Sequence, residues 1–180
     1  VDDWKIVSGL SASPAGNHAY FVSNASSSKD ASLVSPVYLV ADGAELQFAH
    51  RLRTEAGYDG GVLELSVVGD GAWVDLGGQI VEGGYDSVLP EGPLAGRSAW
   101  SASESAWREV RVDLSPWAGE QVQLRWRLAC DAVVGAEGWW IDEVVVDVVA
   151  AGCDAVICGV PGEVRGVEVG KDGDSLVLGW

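Results

Sequence analysis

Methionine is absent from this 180-residue chain, and only 11 lysines and arginines stand against 27 aspartates and glutamates. A chain without methionine does not begin at a translation start, so the sequence reads as a processed or excised piece. The net charge is −16. Phosphate recognition needs clustered cations, so this balance excludes nucleic acid and disfavours an anionic membrane surface. No basic segment leads into an apolar one in the manner of a signal peptide. No run of 18 apolar residues exists. The closest, 139–151, is interrupted by Asp142, Glu143 and Asp147, so no membrane-spanning helix is expected.

Ligand sets for common chemistries are missing too. There are two histidines, His18 and His50, and no HExxH, so zinc hydrolysis has no ligands. No serine lies in a GxSxG elbow, and no P-loop or strand–GxGxxG–helix unit is present. The three cysteines are Cys130, Cys153 and Cys158. Cys153 and Cys158 lie close together, and a local disulfide between them suits an exported protein. Cys130 can instead claim either one, and spacing does not decide.

Helical periodicity is also lacking. What is present is apolar content of 48%, 24 glycines and nine tryptophans. The glycines imply many turns, and alternation of period two recurs between them. Leu46, Phe48 and Leu52 share one face of 45–53. Leu63, Leu65 and Val67 alternate with Glu64 and Ser66. Val110, Val112 and Leu114 alternate with Arg111 and Asp113. Val122, Leu124, Trp126 and Leu128 alternate with Gln123, Arg125 and Arg127. Each reads as a strand with one buried and one wet face, the antiparallel pattern. Gly69-Asp70-Gly71 marks a hairpin. Eight or nine strands over 4–149 predict an all-β fold, an antiparallel β-sandwich. Composition breaks at 150–161, a linker. Residues 162–180 then read as a strand, a turn and the start of another strand, too little to bury a core alone.

In order along the chain come Asp30-xx-Leu33-x-Ser35-Pro36, Leu46-x-Phe48-x-His50-Arg51 and Tyr58-Asp59-Gly60-Gly61-Val62-x-Glu64-x-Ser66. Gly96-Arg97-x-Ala99-Trp100 follows, then the 112–127 strand pair and Gly138-Trp139-Trp140-Ile141-Asp142-Glu143-Val144. Together these resemble the MAM-like jelly-roll domains of bacterial exported proteins, of the immune inhibitor A-like and cleaved adhesin types. The likeness spans 4–149, within a domain placed at 1–149 with the family's first strand missing. Residues 162–180 resemble the first two strands of a fibronectin type III domain, with Trp180 at its core tryptophan. The resemblance implies a non-catalytic accessory, adhesion or ligand-binding module of a secreted multi-domain protein. Its partners would be extracellular proteins or glycans, and structural Ca²⁺ is frequent. The alternatives are a carbohydrate-binding domain using surface tryptophan, or an accessory region of a secreted metallo- or serine peptidase whose catalytic domain lies upstream. Asp142-Glu143 stands where the family carries two aspartates.

Asp142 is the most informative single position. Strand phase groups it with Trp140, Val144, Val146 and Val148, the side expected to face the core. A carboxylate there needs a cation, a hydrogen bond or a metal. Ca²⁺ is the natural hard-cation partner, and Asp30 and Asn24, in the loop 23–32, can fold over it. The alternative is a strand-end aspartate paired with arginine or solvent. Glu55, Asp59 and Glu64 surround the Tyr58 turn. Two of them can serve a glycosidase, but they read as a turn aspartate and a wet-face strand glutamate. His50 reads as a satisfied, partly buried histidine. Among the tryptophans, Trp100 and Trp139 are candidates to stack on a sugar. Arg51, Arg53, Arg125 and Arg127 read as partners for the excess carboxylates.

Overall fold

The structure, a computed structural model, describes residues 3–12, 16–103, 105–148, 168–172 and 175–179. The chain falls into two compact units, Val1–Val149 and Ala150–Trp180. In the first unit β1 (Lys5–Ser8), β2 (His18–Ser23), β3 (Lys29–Val34) and β4 (Tyr38–Leu39) lead into the long β5 (Ala44–Arg53) and β6 (Gly60–Val67). Short elements follow: β7 (Val74–Asp75), β8 (Ile80–Glu82), β9 (Ser87–Val88) and β10 (Ser98–Ala99). The unit closes with β11 (Arg108–Asp113), β12 (Gln121–Cys130) and β13 (Gly138–Val148). In the second unit β14 (Glu168–Asp172) pairs antiparallel with β15 (Ser175–Gly179), Glu168 opposite Gly179 and Asp172 opposite Ser175. Cys153, Cys158 and Trp180 lie outside the described residues.

The first unit is an antiparallel β-sandwich. One sheet runs β1-β2-β13-β5-β11-β8, the other β3-β12-β6-β7 with β4 also on β12. Their inner faces are the alternating apolar sets seen in the sequence. Leu46, Phe48, Leu63, Leu65, Val110, Val112, Val122, Leu124, Trp126 and Leu128 are all at most 2% exposed. Pleating turns successive side chains to opposite faces, so one register brings each whole apolar set inward.

The Tyr58-Asp59-Gly60-Gly61 motif has a packing reason. A Cβ on Gly60 would lie 2.6 Å from the Trp100 carbonyl oxygen. One on Gly61 would lie 2.5 Å from the Trp139 ring. The start of β6 therefore passes against the Trp100 backbone and the buried Trp139 indole at a distance only glycine permits.

β13 departs from simple alternation. Asp142 is opposite Ala49 but Val145 is opposite Gln47, so β13 carries one extra residue. Glu143 absorbs it with φ 51°, the one non-glycine residue at positive φ among the described residues. Such a bulge exchanges the two faces. Before it, Trp139 and Ile141 are buried in the core. After it, Val144 and Val146 pack on the core and Val145 is exposed. The expectation that Asp142 shares the core face with Val144 and Val146 is thus corrected: the bulge lies between them. Trp140, grouped with that set, packs on the outer face against Phe21 (4.6 Å between ring centroids) and under the Arg51 guanidinium (4.7 Å).

Candidate functional site

Tight local turns and strand pairing bring three carboxylates together at one end of the sandwich. The turn 55–59 is closed by the Tyr58 and Asp59 amides, both donating to the Glu55 carbonyl. It delivers Asp59 at the start of β6. Antiparallel pairing of β12 with β6 sets Ala129 opposite Gly60, so Asp131, just past β12, falls beside that turn. Ligand oxygens of Glu55, Asp59 and Asp131 lie within 4.8 Å of one another. This cluster can hold a metal ion.

Asp59 is fully buried. Its Oδ1 accepts from the Asp131 amide at 2.6 Å and its Oδ2 from Asn24 Nδ2 at 2.6 Å. Burial raises its carboxyl above the usual carboxylate range. The Asn24 and Asp131 donors pull it down, and the charge of Asp131 pushes it up. Burial likewise raises Glu55, with the charges of Asp131 and Asp59 adding to it. Glu55 Oε2 is buried and has no hydrogen-bond partner among the described residues. Asp131 Oδ1 accepts from the Val133 amide, which fixes the following loop. Three acids this close, one wholly buried and another with an unpartnered buried oxygen, call for a proton or a cation.

The expected trio of Asp142, Asp30 and Asn24 is not assembled. Asp142 Oδ2 accepts from Ser11 Oγ and the Ala12 amide, both at 2.7 Å, pinning the segment before residue 13 to the six-stranded sheet. Asp30, on the other sheet, forms a two-point pair with Arg127, both contacts 2.7 Å, which holds its carboxyl below the usual range. Asn24 does reach the acidic cluster, but with its amide nitrogen. Its Oδ1 accepts from the Ala136 amide and its Nδ2 also meets Cys130 Sγ. It orients Asp59 rather than offering an oxygen to an ion. Cys130 is a buried thiol with no disulfide among the described residues, and burial raises its pKa.

The two proposed sugar-stacking residues are core residues. Trp100 and Trp139 are both 0% exposed. Trp100 Nε1 donates to the Gly83 carbonyl and Trp139 Nε1 to His50 Nδ1. With no face on the surface, neither can stack on an external ligand. Glu64 is corrected in the same way. It is 3% exposed rather than wet, because Arg97, from the segment that crosses this sheet, closes over it.

His50 is 2% exposed. Because the indole nitrogen can only donate, His50 Nδ1 is the acceptor and Nε2 carries the proton. That tautomer offers no lone pair at Nε2 for a metal, and Nε2 has no partner among the described residues, so the histidine is buried but only half satisfied. Burial, helped by the Arg108 charge, pushes its pKa down to about 3 from the ordinary 6.5. A histidine depressed in the fold is protonated first in the unfolded chain, so its contribution is intact above about pH 6.5 and is lost as pH falls toward 3. The unfolding free energy of the natural chain minus that of His50→Gln should therefore fall by about 1 kcal/mol per pH unit across that window. Denaturant titrations at several pH values check it, and a flat difference contradicts it. The raised Asp59 and Glu55 act in the opposite sense but cancel between the two proteins.

No family model matches the chain. Bacillopeptidase F of Bacillus subtilis (strain 168) is 37% identical over 71 residues, 38% of this chain and 5% of that protein. The chain thus spans a small part of the relative it matches. Among solved structures, the K1 cleaved adhesin domain of Lys-gingipain from Porphyromonas gingivalis W83 superposes with TM-score 0.52 at 18% identity, covering 81% of this chain and 83% of that one. TmCBM61, solved with β-1,4-galactotriose, gives TM-score 0.47 at 15% identity and 81% coverage of each. The adhesin-domain likeness establishes a shared β-sandwich fold.

Proposed function

We propose that this chain is a non-catalytic accessory module of a secreted, multi-domain bacterial protein, of the MAM-like jelly-roll type, whose loop end is held together by a divalent cation. The observation that carries this reading is the Glu55–Asp59–Asp131 cluster with its orphaned Glu55 oxygen. The donor set is all oxygen and all carboxylate, which suits a hard cation and disfavours zinc. Calcium fits best, because it tolerates the irregular geometry that two loops supply, whereas magnesium demands a near-ideal octahedron. Bound there, the ion supplies positive charge that ties the turn 55–59 to the loop after β12. The chain's own residues prepare the place. Asn24 and the Asp131 amide fix Asp59, and the Val133 amide fixes Asp131.

An accessory role fits the chemistry of the described residues. Glu64, a member of the hydrolase-like acidic set, is locked between guanidiniums, and His50 Nε2 is a protonated nitrogen inside the core. The segmental likeness to Bacillopeptidase F supports a place within a larger exported protein, and an accessory region of a secreted peptidase is the second reading. In the second unit the β14–β15 hairpin supports reading 162–180 as the start of a fibronectin type III domain after a linker at 150–161.

The test is a thermal melt of the EDTA-stripped chain with added Ca²⁺. An ion that binds the folded state alone stabilises it by about 2.7 kcal/mol at roughly a hundredfold excess over Kd, a rise of several degrees in Tm. Asp131→Asn should remove the rise, and an unchanged melt in the natural chain contradicts the reading.

A further inference from the structure

The outer face of the five-stranded sheet is divided in two. Its upper half, at the β3 and β6 ends nearest the acidic cluster, is roofed by the segment between β8 and β11. Leu89, Leu94 and Ala99 bury Val62 and Ala129 there. The boundary is an ion network. Glu64 takes Arg97 Nη1 at 2.6 Å and Arg125 Nε at 2.6 Å, and Arg97 reaches Asp75. Beyond that boundary the ladder leaves a second half without a roof. Val34 is opposite Arg125, Gln123 opposite Ser66, and Leu39 opposite Gln121. The β6–β7 register sets Leu65 opposite Val74, and carried one residue further it brings Trp73 beside Ser66.

These outward positions share one chemistry. Val34 is 44%, Leu39 69% and Val68 49% exposed, three of the chain's exposed large apolar side chains gathered on one face. Between them run the exposed Gln121 carboxamide, the half-buried Gln123 carboxamide, whose Nε2 donates to the Ser35 carbonyl at 3.1 Å, and the half-buried Ser66 hydroxyl, which donates to the Val67 carbonyl at 3.4 Å. Trp73 is partly exposed. One indole face lies on the Arg125 guanidinium at 4.2 Å, and the opposite face is turned away from it. Glu64 already neutralises Arg125, so the positions just named carry no unpaired charge, on a chain of net charge −16.

We propose that this open half-face binds a neutral oligosaccharide, with Trp73 as the stacking platform and Gln121, Gln123 and Ser66 as hydrogen-bonding groups. The charge balance selects the occupant. A polyanion is repelled by the chain as a whole, and a cationic partner finds no unpaired carboxylate among these positions. A purely apolar protein surface would strip water from the Gln121 carboxamide and from the acceptor oxygens of Gln123 and Ser66 without replacing their hydrogen bonds. Sugar hydroxyls replace them, while a pyranose C–H face covers the indole. Trp73 and Leu39 lie three strand spacings apart across the sheet, about 14 Å, which gives a track longer than one ring. The Arg125 guanidinium beneath Trp73 holds the indole in place, so little side-chain freedom is lost on binding.

This inference names a ligand for the accessory module proposed above and rests on that reading. The test is affinity electrophoresis of the full chain through gels holding neutral polysaccharides built of glucose, galactose, mannose or xylose, followed by calorimetric titration with the matching oligosaccharide. Retardation by at least one polysaccharide is expected. Trp73→Ala should weaken binding tenfold or more, and Gln123→Ala severalfold, while Trp107→Ala on a different part of the surface leaves it unchanged. Trp73 is partly exposed, so its alanine variant should keep the natural Tm and the natural calcium-dependent rise, which separates failure of this site from failure of the module. No retardation in any gel overturns the proposal, as does binding that survives Trp73→Ala. Concentration-dependent self-association abolished by Leu39→Lys would also overturn it, making this face an interface between copies of the chain.

Discussion

Trp139→Ala is expected to lower the unfolding free energy by about 3–5 kcal/mol, the range for truncating a buried aromatic. Trp139 is wholly buried, with its ring among those of Trp4 (5.8 Å), Trp100 (6.0 Å) and His50 (6.2 Å between centroids). It also fills the space left by the bare Cα of Gly61. Three neighbours are rigid rings, so the site collapses poorly and the cavity cost stays high. A second cost follows from the loss of the indole N–H. His50 Nδ1 becomes a buried acceptor without a donor, worth a further 1–3 kcal/mol by order of magnitude, roughly the usual cost of such a group. Trp139→Phe keeps most of the volume but not the donor, so the difference between the two variants separates cavity from hydrogen bond. Denaturant titration measures both, and a loss under about 1 kcal/mol for the alanine variant contradicts this packing.

Glu64→Ala is expected to cost a similar amount, about 3 kcal/mol or more, for an electrostatic reason. Its carboxylate is 3% exposed and meets Arg97 Nη1 and Arg125, with Arg127 Nη1 at 3.8 Å. Arg97 retains Asp75 and Arg127 retains Asp30 after the substitution. Arg125, 18% exposed, has no other carboxylate within salt-bridge reach among the described residues, so its guanidinium is left partly buried and uncompensated. Removing one partner of such a pair is far more destabilising than removing both. The double variant Glu64→Ala/Arg125→Met should therefore be more stable than Glu64→Ala alone. If the two single changes instead add, the network is not coupled as described.

Alternation placed Leu63, Leu65, Val122, Leu124, Trp126, Val110 and Val112 on inward faces, and all are in the core. Period two reports which side chains share a face, but not whether that face is covered. Glu64 lies on the outer face, as its phase requires, yet it is buried by Arg97, over thirty positions away along the chain. The bulge at Glu143 has no glycine to announce it, so strand phase carried through from Trp140 to Val148 put Asp142 on the wrong side. Trp100 sits in the serine- and alanine-rich stretch 98–106, which reads as a loop or one short helical turn. Its burial depends on the Gly60–Gly61 approach from another strand.

The acidic cluster was half legible. Glu55 and Asp59 stood out around the Tyr58 turn, but the third acid is Asp131, more than seventy positions along the chain. The signal for it was a register rather than a motif. Once Gly60–Val67 is paired antiparallel with Gln121–Cys130, the residue after Cys130 must lie beside Asp59. Asn24, expected beside Asp142 and Asp30 as a calcium ligand, instead donates to Asp59 and orients it.

The most direct measurement is calorimetric titration of Ca²⁺ into the EDTA-stripped chain, with Asp131→Asn and Asp142→Asn in parallel. The account predicts one ion per chain in the natural protein. Binding should be lost in Asp131→Asn and retained in Asp142→Asn, whose carboxylate serves the Ser11–Ala12 segment instead. Binding that survives Asp131→Asn but disappears in Asp142→Asn would contradict the assignment. A natural chain that takes up no calcium would contradict the cation-held module itself.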